Sequence, residues 1–315
     1  MRLGLLIPLF ILCNMCSSSF AQTCCTGGVP HLAGLRIPQT NKGQFGASFS
    51  YIFNNNSDLI VNNSEVASSN IFRKVNSVLL QGDYGASDNF SFTVILPFVF
   101  QREEINFDDE VNTYTNSGIG DVSIWGNYKN EPTGRFFLSA SLGIKLPTGS
   151  TNQKDENTGI SLPFSFQTGS GSVDFGSVVF LKYGLDAKKF YHLLAQLSIK
   201  INTRGNRFEA HPNYLFGNVY QGTLLIDRTV ISGIGILNLS VGGNYQVREK
   251  DVFDGGFENQ NSGGSWINAV AVGTIAFSPK FNLSVNGFIP IYRDLNGLQL
   301  TTSWMATIGL GYVFS

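Results

Sequence analysis

Charge is scarce in this chain. Of 315 residues only 21 are Lys or Arg and 22 Asp or Glu, 14% in all, where about 25% is usual. A net charge of −1 without a basic cluster argues against a nucleic-acid partner. A hydrophobic content of 43% excludes disorder. Histidine is scarcer still: His31, His192 and His211 are the full set. No His-Glu-x-x-His zinc signature, Gly-x-Ser-x-Gly elbow or phosphate-binding Walker loop occurs, so no enzyme and no cofactor is expected. His192 and Ser198 lie six residues apart on one strand, too far to share a proton. Beyond residue 21 no apolar run reaches the length of a membrane helix, and a membrane role survives only as a β-barrel.

Residues 1–21 read as an export signal. Arg2 gives the positive end, Leu3 to Leu12 the apolar stretch, and Ser19-Phe20-Ala21 a small-residue cleavage site. Cys13 and Cys16 leave with it, and the mature chain keeps Cys24-Cys25. That pair is a weak candidate for a soft-metal site with His31, against a vicinal disulfide or two free thiols. Residues 22–43 form a short periplasmic N-terminal segment, with Leu32, Leu35 and Ile37 as apolar anchors should it enter the barrel.

From residue 44 to 315 the dominant pattern is alternation with a period of two. Phe136, Leu138, Ala140, Leu142, Ile144 and Leu146 share one face, with Ser139, Ser141, Gly143 and Lys145 among those on the other. The same reading marks strands at 44–54, 73–85, 89–102, 118–129, 135–147, 172–184, 189–203, 218–230, 235–248, 264–278, 280–292 and 299–315. Short turns alternate with longer polar segments at 55–72, 103–117, 148–171, 204–217, 249–263 and 293–298. An even strand number with that alternation predicts an all-β fold, a closed antiparallel transmembrane barrel of about 12 strands. Closure follows because an unpaired edge in hydrocarbon costs several kcal/mol per backbone group.

Aromatics flank the short turns: Tyr84 and Phe90, Tyr128 and Phe136, Tyr183 and Tyr191, Phe277 and Phe281, then Tyr312 and Phe314. They read as an interfacial girdle. Only the turn at Gly233 lacks one. Gly159 to Phe166 also alternates, but a thirteenth strand would break the parity, so it is assigned to the long loop, folded inward or along the rim.

The polar faces should line the lumen. They carry Gln81, Asp83, Asp121, Asn127, Lys145, Asp174, Lys182, His192, Lys200, Asp227, Asn244 and Arg248. With both signs present, two readings stay open: the charges pair and fill the barrel, or they line a solute path. Asp121, Lys145, Asp174, Lys182, His192 and Lys200 are the candidate path residues. The acidic run Glu103, Glu104, Asp108, Asp109, Glu110 is expected in a solvated loop, with divalent cations bridging lipopolysaccharide as the sharper alternative.

Three stretches carry a resemblance: Ser117-Gly118-Ile119-Gly120-Asp121-Val122-Ser123-Ile124, Leu142-Gly143-Ile144-Lys145-Leu146-Pro147-Thr148-Gly149-Ser150 and Gln167-Thr168-Gly169-Ser170-Gly171-Ser172-Val173-Asp174. Together they resemble the transporter-like outer-membrane family labelled for the meta-pathway of phenol degradation. Val173 stands where that family usually has an aromatic. The resemblance implies passage of small compounds, hydrophobic or aromatic ones among them.

The chain is therefore expected in the bacterial outer membrane, long loops extracellular and termini periplasmic. Its expected partners are outer-membrane lipids and lipopolysaccharide, the barrel-assembly machinery, which reads a terminal aromatic such as Phe314, and a small-molecule solute. The expected function is a passive channel or transporter. The alternative is a non-transporting structural or surface-binding barrel with a self-plugged lumen, and a hydrolase stands third.

Overall fold

The computed structural model describes residues 40–61, 64–66, 70–107, 110–155, 159–205, 208 and 213–314. The signal, Cys24-Cys25, His31, Leu32, Leu35, Ile37, Asp108, Asp109 and His211 lie outside them.

Twelve strands form one closed antiparallel barrel. They are β1 (Phe45–Val61), β2 (Ile71–Gly85), β3 (Phe90–Phe107), β4 in two pieces (Glu110–Ile119 and Ser123–Thr133), β5 (Phe136–Lys145) and β6 (Asp174–Gly184). There follow β7 (Tyr191–Ile201), β8 (Val219–Ser232), β9 (Gly235–Arg248), β10 (Gly264–Ala276), β11 (Phe281–Leu295) and β12 (Leu298–Phe314). Each pairs with its sequence neighbour, and β12 closes on β1 from Phe45↔Phe314 to Val61↔Leu298. Among the described residues no helix is long and apolar enough to cross a membrane.

The alternation sorts as physics requires. Leu142, Leu197, Leu224, Ile226, Val241 and Ile308 face outward and are exposed, while Asn127, Lys145, His192, Lys200, Asp227 and Asn244 are buried inside. Most of the girdle aromatics, Tyr84, Phe90, Tyr128, Tyr183, Tyr191, Phe277, Phe281, Tyr312 and Phe314, face outward at the short-turn end, with Phe136 half-buried. The turn between β6 and β7 is fixed by the Asp186 carboxylate, which accepts the Tyr191 N–H at 2.8 Å. That bond holds its pKa below the ordinary value.

Three segments expected as loops are largely strand. β1 runs on to Val61, β3 to Phe107, the first piece of β4 starts at Glu110, and β11 reaches Leu295. Above the apolar band a strand needs no apolar outer face, so the alternation fades while the ladder continues. The acidic run is corrected with them. Glu103 and Glu104 lie in β3, and Glu103 is buried against Arg73, whose Nε donates to its carboxylate at 2.6 Å.

The wall is uneven. β5, β6 and β7 stop at Lys145, Asp174 and Ile201, and above them the loops 146–173 and 202–218 take over. Two ladders also end early. The upper piece of β4 pairs only with β3, because β4 and β5 part above Ser123↔Lys145. β11 and β12 part above Phe288↔Met305, although both strands continue. Across that second parting Arg293 Nη2 donates to the Thr302 carbonyl at 2.7 Å and pairs with Asp58 on β1.

Candidate functional site

The site begins where β4 breaks. Gly120 N–H donates to Pro97 O at 2.8 Å, and a Cβ on Gly120 would sit 3.0 Å from the proline ring. The break turns Asp121 inward, where it is fully buried. Pro147, lacking an N–H, follows the end of β5. Thr148 then grips the break: its Oγ1 donates to Gly120 O at 3.0 Å and accepts Val122 N–H at 2.9 Å.

The loop 146–173 is tied back to the same carboxylate. Asp121 accepts Gly149 N–H at 2.9 Å, Ser170 N–H at 2.9 Å and Ser170 Oγ at 2.6 Å. Gly149 and Gly169 are in backbone contact, and a Cβ on Gly149 would lie 2.6 Å from the Gly169 Cα. Asp174 is held in parallel by Ser172 Oγ at 2.8 Å and Thr203 N–H at 3.0 Å. Between the two acids stands Lys145, its Nζ 2.7 Å from each, and it also touches Ser170 Oγ. Lys200 Nζ lies 3.7 Å from Asp174, fully buried and without a hydrogen-bond partner among the described residues.

Four of the six candidate residues thus meet in one buried group of two carboxyl groups and two lysine amines. The three motifs interlock through it. Beneath, Trp125 spreads over Gly143 and Gly176, where a Cβ would come within 2.3 and 2.5 Å of the indole, and its Nε1 donates to Ser123 Oγ at 3.0 Å.

The other two candidates stand apart, towards the short turns. His192 Nδ1 is 3.1 Å from Asp227 Oδ2, and Ser240 Oγ donates to that same acid at 2.7 Å. The hydroxyl therefore serves Asp227. Lys182 is half-buried on β6, its position paired with Leu194.

The inner wall is less polar than its sequence suggested. Phe180, Leu194, Leu225 and Val270 form a buried cluster, joined by Phe137, Val272 and Phe288. These belong to β5 to β8, β10 and β11, among which apolar residues run on both faces, as in Val178-Val179-Phe180-Leu181 and Leu224-Leu225-Ile226.

At the long-loop end the described loop residues pack on one another and on the wall. Phe166 is buried, with Arg73 over its ring at 5.3 Å, and Gln167 ties the loop by donating to Leu162 O at 2.8 Å. The Gly159 to Phe166 segment lies in the long loop, with Leu162 and Phe166 buried and Ile160 exposed. Around it three loops meet in an aromatic clasp. Phe164 packs on Tyr214 at 4.2 Å between centroids, with Phe208, Phe216 and Phe253 around them. Tyr214 is wholly buried and donates to Asp251 Oδ2 at 2.7 Å. Burial first, then the Asp251 charge, raises its pKa. Asp251 also accepts Gly217 N–H at 2.8 Å and Arg248 Nη2 at 2.6 Å. Sequence reasoning missed this clasp, since loop aromatics follow no period.

Closure, outward apolar faces and an interfacial aromatic girdle define an outer-membrane-type β-barrel. Residues 52–289 match the family described as "Putative MetA-pathway of phenol degradation". The chain belongs to that family. Its fold is similar to that of the COG4313 outer membrane channel from Pseudomonas putida F1, with a TM-score of 0.68 and 14% identity over 87% of this chain and 97% of that one. The β domain of the Bordetella autotransporter BrkA gives a TM-score of 0.49 and 10% identity over 87% of this chain and 100% of that one. No curated protein matches the sequence.

Proposed function

We propose that this protein is a passive outer-membrane channel for small apolar solutes, with its long loops extracellular and its termini periplasmic. The observation that carries this reading is the apolar inner wall of Phe180, Leu194, Leu225 and Val270. A lumen that only passed ions and sugars would gain nothing from apolar surface held away from the membrane. The similarity to a protein described as an outer membrane channel supports the same reading. In it, Asp121, Lys145, Asp174 and Lys200 hold the loop 146–173 in the mouth, while Lys182 and His192 lie along the path below. Lipopolysaccharide and the assembly machinery are its partners in the envelope.

The test is accumulation of a monoaromatic hydrocarbon and of a disaccharide by cells carrying the protein or its Leu225→Asp variant. Faster aromatic uptake that the variant loses, with sugar uptake unchanged, is the expected result. Equal aromatic uptake with and without the protein refutes it. The second reading, a non-transporting structural or surface-binding barrel whose lumen is closed by its own charges, is favoured by the buried group of Asp121, Lys145, Asp174 and Lys200. Under that reading the refolded protein stays silent in planar bilayers even with the loop 146–173 shortened.

A further inference from the structure

One row of paired positions crosses the inner wall through seven consecutive strands. Phe137 on β5 pairs with Lys182, Lys182 with Leu194, Leu194 with Leu225, Leu225 with Gly242, Gly242 with Val270, and Val270 with Phe288 on β11. All face the lumen, because their chain neighbours Tyr183, Leu224, Val241 and Ile289 are the exposed outward residues. Lys182 is the one polar member of this row. The row is not packed shut: Phe137, Lys182 and Phe288 are only half-buried, and Gly242 is exposed although it looks inward.

Lys182 has no counter-charge among the described residues. Other inward lysines stand against acceptors: Lys145 and Lys200 against Asp174, and Lys129 Nζ against Thr40 O at 2.9 Å. The acids nearest in the lower lumen are engaged elsewhere. Asp227 is held by His192 Nδ1 and Ser240 Oγ, Asp83 by Thr93 Oγ1 and Gln81 Nε2, and Asp186, in the turn below, by the Tyr191 N–H. The strands on either side of Lys182 offer it only Phe137 and Leu194.

We infer that this row is a binding site for a monocarboxylate with a hydrocarbon body, its carboxylate on Lys182 and its body on Leu194, Leu225, Val270 and Phe288. The charge count selects the class. One ammonium balances one negative charge, whereas a doubly charged phosphate ester would leave a charge uncompensated against hydrocarbon. A small inorganic anion would gain nothing from the apolar members, and a neutral hydrocarbon nothing from Lys182. The inference rests on the reading of the lumen as an apolar solute path and adds the head group that the path selects.

The experiment is equilibrium dialysis of radiolabelled phenylbutyrate and phenylbutanol against the full chain in nanodiscs of zwitterionic lipid, with empty nanodiscs subtracted. The native protein is compared with Lys182→Met, which keeps the stem and removes the charge, and Lys182→Arg, which keeps the charge. Heat-modifiable mobility on gels shows that each variant is a folded barrel. The expected result is that the native protein binds the acid about tenfold more tightly than the alcohol, the worth of one charge-assisted contact. That ratio should fall to about one in Lys182→Met, persist in Lys182→Arg and shrink as salt is raised. Equal binding of acid and alcohol by the native protein overturns the inference, as does a ratio that survives Lys182→Met. Binding of neither also overturns it. The channel reading fails separately, when the protein gives no faster uptake of the aromatic hydrocarbon.

Discussion

Replacing Asp121 with Ala should free the loop 146–173 without unfolding the barrel. Asp121 sits in the gap between the two pieces of β4, so its loss breaks no ladder bond. It removes instead the acceptor for Gly149 N–H, Ser170 N–H and Ser170 Oγ, and one of the two acids 2.7 Å from Lys145. Taking one member from a buried ion pair costs about 3–5 kcal/mol, since the remaining charge stays buried. Charged locally to the loop, that raises its detached population by roughly a hundred- to a few-thousand-fold. Hydrogen exchange reads this directly. The amides of Gly169 and Leu162, bonded to Ser150 O at 2.8 Å and Gln153 O at 3.0 Å, should lose protection by that factor. Core amides of β8 and β9 should not change. Less than a tenfold change at Gly169 and Leu162 in a folded Asp121→Ala protein would refute the claim that this carboxylate holds the loop. Asp121→Asn, which keeps an acceptor but no charge, should fall between.

Three further outcomes follow from the same geometry. The neutral phenol of Tyr214 is favoured in the fold, so its share of clasp stability is complete below the ordinary tyrosine value near 10 and is lost as pH rises above it; Tyr214→Phe should remove that alkaline dependence in a loop-protection assay. Tyr214→Phe should also weaken the clasp at neutral pH by about 1.5–3 kcal/mol, the worth of a hydrogen bond to a charged group, measured as faster exchange at Gly217. Gly143→Val would drive a side chain into Trp125, costing about 1–3 kcal/mol in urea unfolding and shifting tryptophan emission, whereas the same change at open Gly287 should do neither.

Much of this molecule was legible in period-two alternation. The strands from β5 to β10 fell nearly where Leu142, Leu197 and Val241 placed them, because one face must meet lipid. Asp121, Lys145 and Asp174 were legible through the spacing of glycines and proline around them, but not that they would meet. Contact between Gly149 and Gly169 is a tertiary event, and no periodicity records it. The apolar inner wall was hidden because Leu224-Leu225-Ile226 reads alike whichever face looks outward. The upper reaches of β1, β3 and β11 were hidden for the opposite reason. Above the membrane both faces are polar, and a strand such as Asn54 to Asp58 looks like a loop.

The early end of the β11–β12 ladder has a mechanical consequence. A closed ring of strands resists widening because each strand pair must break hydrogen bonds to separate. Here the ring is fastened most fully at its own closure, from Phe45↔Phe314 to Val61↔Leu298, while the neighbouring pair is fastened only as far as Phe288↔Met305. Widening of the long-loop end therefore meets least ladder resistance at the two partings, β4–β5 and β11–β12, and at the second of them β12 stays fastened to β1. Arg293 spans that parting, donating to Thr302 O and paired with Asp58, so a side chain stands there in place of ladder bonds.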